Sequence, residues 1–347
     1  MKRFPNLIIY ILSSLTLLCT TSCVDEELPT ADTTVGNLEA LWQLLDERYC
    51  FFDYKHDEIG VDWDEVHERY RNMVNNDMTH RQLFEVCCNM IGELRDGHVN
   101  LGAAFDIGRN WSYWEDYPEN YYDSIARSYL GRDYSIAAAL KYRVLDDNIG
   151  YVRCESFSDA LGEGNIGSML SILAPCNGLI IDIRNNGGGE LTNAERLASF
   201  FTNERRLVGY VYHKTGKGHN DFSKPKALYL DPAKGTRWQK PVVVLTNRQV
   251  FSAANDFVKM MKCLPGVTLV GDQTGGGSGM PFTQEIPSGW SVRYSAVVFT
   301  DVQGHHTEFG IEPHVKVDID AADMLRRRDT IIERARQLLS SPQSNNE

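Results

Sequence analysis

The chain reads as an α/β protein: a mainly parallel sheet covered by helices on both faces, behind a small N-terminal helical bundle. Three observations carry that expectation. Short apolar, β-branched runs recur at 148–157 (NIGYVRCESF), 178–184 (GLIIDIR), 241–247 (PVVVLTN) and 267–272 (VTLVGD), with Gly, Pro, Asn or Asp at their ends. Their apolarity is nearly continuous rather than alternating, as in strands buried on both faces. Helical stretches fall between them, at LTNAERLASFF and SAANDFVKMMKCL, the pattern of parallel strands joined by crossovers.

From the N-terminus, Lys2 and Arg3 precede an apolar run, Leu7 to Leu18, too short to span a bilayer comfortably but right for the core of an export signal. Small polar residues lead to Cys23 and then acidic VDEELP. Residues 1–23 resemble a bacterial lipoprotein signal, in which Cys23 becomes the lipidated first residue. Thr20 departs from the leucine usual there, and an ordinary secretory signal with an incidental cysteine is the alternative. Residues 24–34 read as a flexible tether. Residues 35–95 read as three helices. Leu38, Leu41, Trp42 and Leu45 share one face of the first, Asp62 can cap the second, and Thr79 can cap the third. Residues 96–340 form the core. Within it NWSYWEDYPENYY, 110–122, is too aromatic for a linker and reads as an ordered loop. GWSVRYSAVVFT and HVKVDID add late strands.

A formal net charge of -12 over 347 residues argues against nucleic acid, which needs clustered Lys and Arg. Setting aside Cys19 and Cys23, the cysteines show no CxxC and no metal-like spacing with histidine, so buried thiols are expected and zinc is not. His305 and His306 are adjacent and would point apart on a strand.

Chemistry-bearing residues fall in three separated stretches. ELRDGHVNL places His98 after an Asp–Gly turn, although a lone histidine is more often structural than catalytic. In IDIRNNGGGE a buried strand runs into Gly187, Gly188 and Gly189 ahead of a helix. Glycines let backbone amides approach a ligand, and a helix N-terminus favours developing negative charge. That suits an oxyanion hole, but a tight turn explains it equally. No Gly-Lys-Ser/Thr follows and GxGxxG does not fit, so this is neither a P-loop nor a dinucleotide fingerprint. NRQVFSAANDF sets Ser252 between strand and helix, either as a helix N-cap or as a nucleophile beside the Ala253 amide. It lacks the GxSxG elbow.

Together, LRDGHVNL, GLIIDIRNNGGGE, VFSAANDF, LVGDQTGGGSG and GIEP resemble the serine peptidase family of C-terminal processing (tail-specific) proteases and the tricorn core protease, over about residues 35 to 320. The resemblance implies a crotonase-like core with Ser252 as nucleophile. Tail-specific members use a Ser–Lys dyad. Here Gly277 stands where that lysine would fall, and no lysine lies between Lys262 and Lys316. Tricorn-type members use a histidine and a glutamate, matched by His98 and by Glu308, with Glu312 as the alternative. The implied oxyanion donors are the amides of Gly188 and Ala253, or Gly187 in place of Gly188.

The segment between His98 and Asn148 is too short for the PDZ domain that many relatives carry. Substrate recognition is therefore expected on the aromatic loop, with Trp114 and Tyr122, and at Arg293, which can meet a carboxylate. The expected protein is an exported, lipid-anchored serine endopeptidase of the cell envelope. It would act on protein or peptide substrates and need no metal or other cofactor. The rival is a catalytically weak peptide-binding lipoprotein of the same fold; an esterase with the same triad is a third reading.

Overall fold

The computed structural model describes residues 31–109 and 112–340; the export signal, Cys23 and Trp111 lie outside the described residues. The N-terminal part holds four helices, one more than the periodicity predicts: α1 (Thr34–Arg48), α2 (Phe52–Ile59), α3 (Trp63–Arg71) and α4 (His80–Gly92). The extra one, α2, is eight residues of mostly polar sequence with no apolar stripe, stopped by Gly60 in the left-handed region at φ 70°. Asp62 caps α3 by accepting the amides of Asp64 and Glu65. Thr79 and Gln82 form a reciprocal capping box on α4. Each such cap stabilises its helix by about 1 kcal/mol. Leu38, Leu41 and Leu45 are fully buried, in one apolar cluster with Trp63, Leu83 and Ile91. Trp42 is only partly buried and stacks on His67.

The rest of the chain gives hairpin β1 (Asn100–Ala103) and β2 (Asp106–Gly108), then α5 (Asp123–Leu130), β3 (Ser135–Ala137), β4 (Leu140–Val144) and β5 (Gly150–Cys154). Next come α6 (Glu163–Leu173), β6 (Leu179–Asp182), α7 (Leu191–Ser199), β7 (Arg206–His213), β8 (Lys226–Leu230) and β9 (Val242–Thr246). The chain continues through α8 (Ala253–Lys262), β10 (Val267–Gly271), β11 (Gly279–Glu285), β12 (Ser291–Thr300) and β13 (Val315–Lys316), and closes with α9 (Ala321–Leu325) and α10 (Thr330–Ser340).

The strands form two sheets. The seven-stranded one has the order β13-β10-β9-β6-β5-β4-β3 and is parallel from β13 to β5. Its hairpin β3–β4 is antiparallel. Alternate residues of β6 enter different clusters: Leu179 and Ile181 pack with α6, α7 and α8, while Ile180 packs with Ile331 and Ile332 of α10. That two-sided burial is why β6 and β9 carry unbroken apolar sequence. The second sheet, β2-β1-β12-β7-β8 with β11 on β12, is antiparallel throughout. The expected GWSVRYSAVVFT strand, β12, therefore belongs to a separate sheet and not to the parallel one. Val292 and Tyr294 carry it into the helical cluster, so this sheet is the floor on which α1–α4 rest. The six described cysteines are free thiols, and all but Cys263 are buried.

Candidate active site

Strands β6 and β9 are neighbours in parallel register, with Asp182 opposite Leu245. The loops leaving their C-terminal ends, 183–190 and 247–252, emerge side by side at the end of the sheet where α/β proteins hold ligands. The Phe251 amide donates to the Asn186 carbonyl at 3.1 Å and locks one loop to the other.

Ser252 precedes α8 but does not cap it: its side chain makes no cap hydrogen bond. Its backbone has φ 57° and ψ -127°, a left-handed conformation costly for any residue with a Cβ. The Ser252 amide donates to the Gly276 carbonyl at 2.9 Å, and the Gly275 amide to the Val250 carbonyl at 2.7 Å. Those bonds hold the strained corner. The hydroxyl is thereby turned to His98, with Oγ 3.0 Å from Nε2. The N-cap alternative for Ser252 is excluded.

Gly188 explains how close the two loops come. At φ 100°, a Cβ built there would lie 2.8 Å from the Ser252 Cβ and 2.7 Å from the Phe251 carbonyl oxygen. Its own amide donates to the Asn186 side chain at 2.9 Å. The expected Gly188 oxyanion donor is therefore already engaged, because Asn186 folds into a local turn over it. Among the described residues the Gly187 and Ala253 amides have no hydrogen-bond partner, and Gly187 is exposed.

His98 is 2% exposed, in a turn where its amide donates to Asp96 Oδ1 at 2.7 Å. The Phe251 ring packs 4.8 Å from the imidazole, close against Gly97 and Gly277. Burial lowers the His98 pKa below its ordinary value, against the opposing pull of the Asp96 charge, while Arg293 adds to the lowering. The imidazole is therefore neutral at neutral pH, the form a general base needs.

Glu308 is also buried, but its carboxylate is held elsewhere. Oε1 pairs with Lys55 Nζ at 3.0 Å and Oε2 accepts the Ser278 amide at 2.8 Å. Burial, reinforced by Asp96 and opposed by Lys55, pushes its pKa up to about 7. Among the described residues His98 Nδ1 has no hydrogen-bond partner. The expected direct Glu308–His98 bond is thus not made, and the carboxylate whose charge acts most on the imidazole is Asp96. Asp96 is itself fixed by the Tyr49 hydroxyl at 2.8 Å. Glu312, the alternative, is exposed and meets Lys262 through its carbonyl.

Arg293 is half-buried on β12, opposite Asn100, two residues beyond His98. It makes no ion pair within 4.0 Å among the described residues. Trp114 is 40% exposed in a 3-10 turn, Tyr113–Asp116. Tyr122 precedes α5 in a segment anchored on the core, where Asn120 donates to Asp318 at 2.8 Å and Tyr121 lies over Arg153 and Arg184. Arg184 forms a bidentate pair with Asp182 and reaches Asp329 at 3.0 Å, all fully buried, so the pair braces the Gly-rich loop. Among the described residues no group of three His, Cys, Asp or Glu can hold a metal.

Residues 148–317 match the model of peptidase family S41, and residues 33–92 match the tricorn protease C1 domain. A crystal structure of a candidate peptidase from Parabacteroides merdae is 50% identical, with a TM-score of 0.86, over 90% of this chain and 98% of that one. The chain belongs to peptidase family S41. Carboxy-terminal processing protease CtpA of Bacillus subtilis is 25% identical over 177 residues, 50% of this chain. The chain spans about a third of that relative's length (36%). Mature CPAF complexed with lactacystin shares the fold at 14% identity, with a TM-score of 0.67 over 88% of this chain and 97% of that one.

Proposed function

We propose that this S41 chain is an exported serine endopeptidase that cleaves protein or peptide substrates through an acyl-enzyme on Ser252. The observation that carries the reading is the Ser252 Oγ to His98 Nε2 distance of 3.0 Å, at a strained corner before a helix N-terminus. Neutral His98 takes the hydroxyl proton as Oγ bonds to the substrate carbonyl carbon and the π pair moves to oxygen. The amides of Ala253 and Gly187 receive that oxyanion. Collapse breaks the C–N bond, and the imidazolium returns its proton to the leaving amine. Water then attacks the ester by the same route and frees the acid.

Asp96 supplies the negative charge that acts most on the imidazolium, and Glu308, the glutamate expected for the triad, serves from behind the Ser252 turn, where it pairs with Lys55 and accepts the Ser278 amide. Arg293, a half-desolvated cation near His98, receives a substrate carboxylate, and Trp114 and Tyr122 offer apolar surface to substrate side chains. Export and lipid attachment at Cys23 rest on the sequence of residues 1–23.

The test is intact-mass analysis after treatment with a fluorophosphonate, in which Oγ displaces fluoride from phosphorus. One adduct is expected on the wild type and none on folded Ser252→Ala or His98→Ala. No adduct on folded wild type would replace this reading with the peptide-binding lipoprotein.

A further inference from the structure

Lys55 poses a physical question. Its side chain is 0% exposed, and it projects from α2 of the helical part into the catalytic part. A buried ion pair is a poor stabilising device, since an apolar pair of the same volume often does as well or better. Here the ammonium has two acceptors on opposite sides of the site, Glu308 Oε1 at 3.0 Å and the Arg95 carbonyl at 3.3 Å. It also lies 4.0 Å from the centre of the Phe309 ring.

Those contacts close a chain of bonds between the two reacting groups. Arg95 begins the turn that carries Asp96, Gly97 and His98. Glu308 accepts the Ser278 amide on its carboxylate and the Gly277 amide on its carbonyl at 2.9 Å. The adjoining Gly276 carbonyl receives the Ser252 amide. Lys55 is therefore the only cation among the described residues joining the His98 turn to the Ser252 turn through Glu308. We propose that Lys55 is a positioning residue for acyl transfer, tying these two turns together, so that the site is complete only when α2 is docked. The inference rests on the Ser252–His98 reading above.

Electrostatics gives the tie a signature that simple packing lacks. Two buried carboxylates, Asp96 and Glu308, share one region and repel, and like charges drive one towards neutrality. Glu308 already stands at about 7 with Lys55 present. Tyr49, Cys50 and Tyr54 also face it; burial pushes each of their pKa values up, so they stay neutral near pH 7. More distant Arg293, half open to solvent, acts on His98 and Asp96. Removing Lys55 leaves Glu308 without the charge that opposes its protonation, so its pKa must climb further above 7.

The experiment is the pH dependence of the fluorophosphonate labelling rate, from pH 5.5 to 9.5, for wild type, Lys55→Met, Lys55→Arg and Lys55→Met/Glu308→Gln, with circular dichroism on each. Wild type should show an acid limb near pH 7. In Lys55→Met the lost tie should lower the rate at every pH, and the limb should also move up by about one unit, which adds a further loss of about tenfold below pH 7. Lys55→Arg should lie between the two. The double variant buries no uncompensated charge from this pair and should fold even where Lys55→Met does not. It should label slowly and without a limb near 7. A Lys55→Met rate that is unchanged, or one that falls while the limb stays near pH 7, overturns the proposal, as does a double variant that labels at the wild-type rate. If wild type does not label at all, the serine peptidase reading fails first, so the two failures are separable.

Discussion

Replacing Ser252 by glycine should leave a more stable protein than replacing it by alanine, although both remove the nucleophile. Each variant loses Oγ and its bond to His98, so that loss cancels between them. What differs is the backbone at φ 57° and ψ -127°, which costs a residue with a Cβ about 1–3 kcal/mol. Alanine keeps that strain and glycine releases it. Against the release stand the extra unfolded-state entropy of glycine, about 0.5–1 kcal/mol, and part of the roughly 0.8 kcal/mol for a buried carbon, since residue 252 is only half-buried. The balance favours glycine by about 1 kcal/mol. Urea unfolding of both variants under one m-value reads the difference as a midpoint shift, and thermal scans should separate them by about 2 °C. Neither variant should label with fluorophosphonate. A glycine variant no more stable than the alanine variant would refute the idea that the corner stores strain to present the hydroxyl.

Gly188→Ala should lose more than about 2 kcal/mol of stability in urea, together with labelling, because its Cβ enters the Ser252 corner at a left-handed φ. Asp182→Asn should cost about 3–5 kcal/mol, because it leaves buried Arg184 and Arg153 with only Asp329 to compensate their two charges. In the wild type, burial raises the Asp182 carboxyl but those arginines hold it down at about 2, from 3.8. It therefore contributes about 2 kcal/mol above pH 4 that is lost as pH falls towards 2, a dependence the variant should lack. Arg293→Gln should leave labelling intact but erase a preference, about tenfold or more, for peptides ending in a free carboxylate or an acidic residue over amidated or neutral analogues; no such preference in the wild type removes Arg293 from recognition. Cys23→Ser should abolish fatty-acid incorporation in cells and release the protein from the membrane fraction, and an unchanged distribution would point to an ordinary export signal.

Ser252, His98 and the Gly-rich loop were legible because each sits where local punctuation is strong. Two follow buried strands, and one follows a capped helix and an Asp–Gly turn. Lys55 was not. In FDYKHDEI it is surrounded by charged and aromatic residues, and the segment is too short to show a period. Only the docking of α2 against the 306–309 stretch makes that lysine buried. Glu308 was legible as a residue but not as a partner, since its carboxylate answers to Lys55 and the Ser278 amide, one of them 253 positions away. The same distinction separates the sheets. GWSVRYSAVVFT announces a strand through its β-branched residues, yet its membership of an antiparallel sheet depends on pairing with β1, β7 and β11, information no local window contains.

Two costs coincide at this site, and their coincidence favours turnover over mere binding. A left-handed serine and a buried lysine with two buried carboxylates each lower stability relative to simple replacements. Glycine would relax the first, and apolar side chains of similar volume would replace the Lys55–Glu308 pair. A protein that only grips extended peptides needs neither, because strand edges and apolar surface supply that affinity without a strained hydroxyl against a neutral imidazole. An acyl-transfer site gains from both: the strain aims Oγ along the Nε2 direction before substrate arrives, and the buried negative charge offsets the cost of an imidazolium at a buried position. The arrangement departs from local folding rules where chemistry would gain from it and follows them in the caps of α3 and α4 and the apolar strands of the parallel sheet.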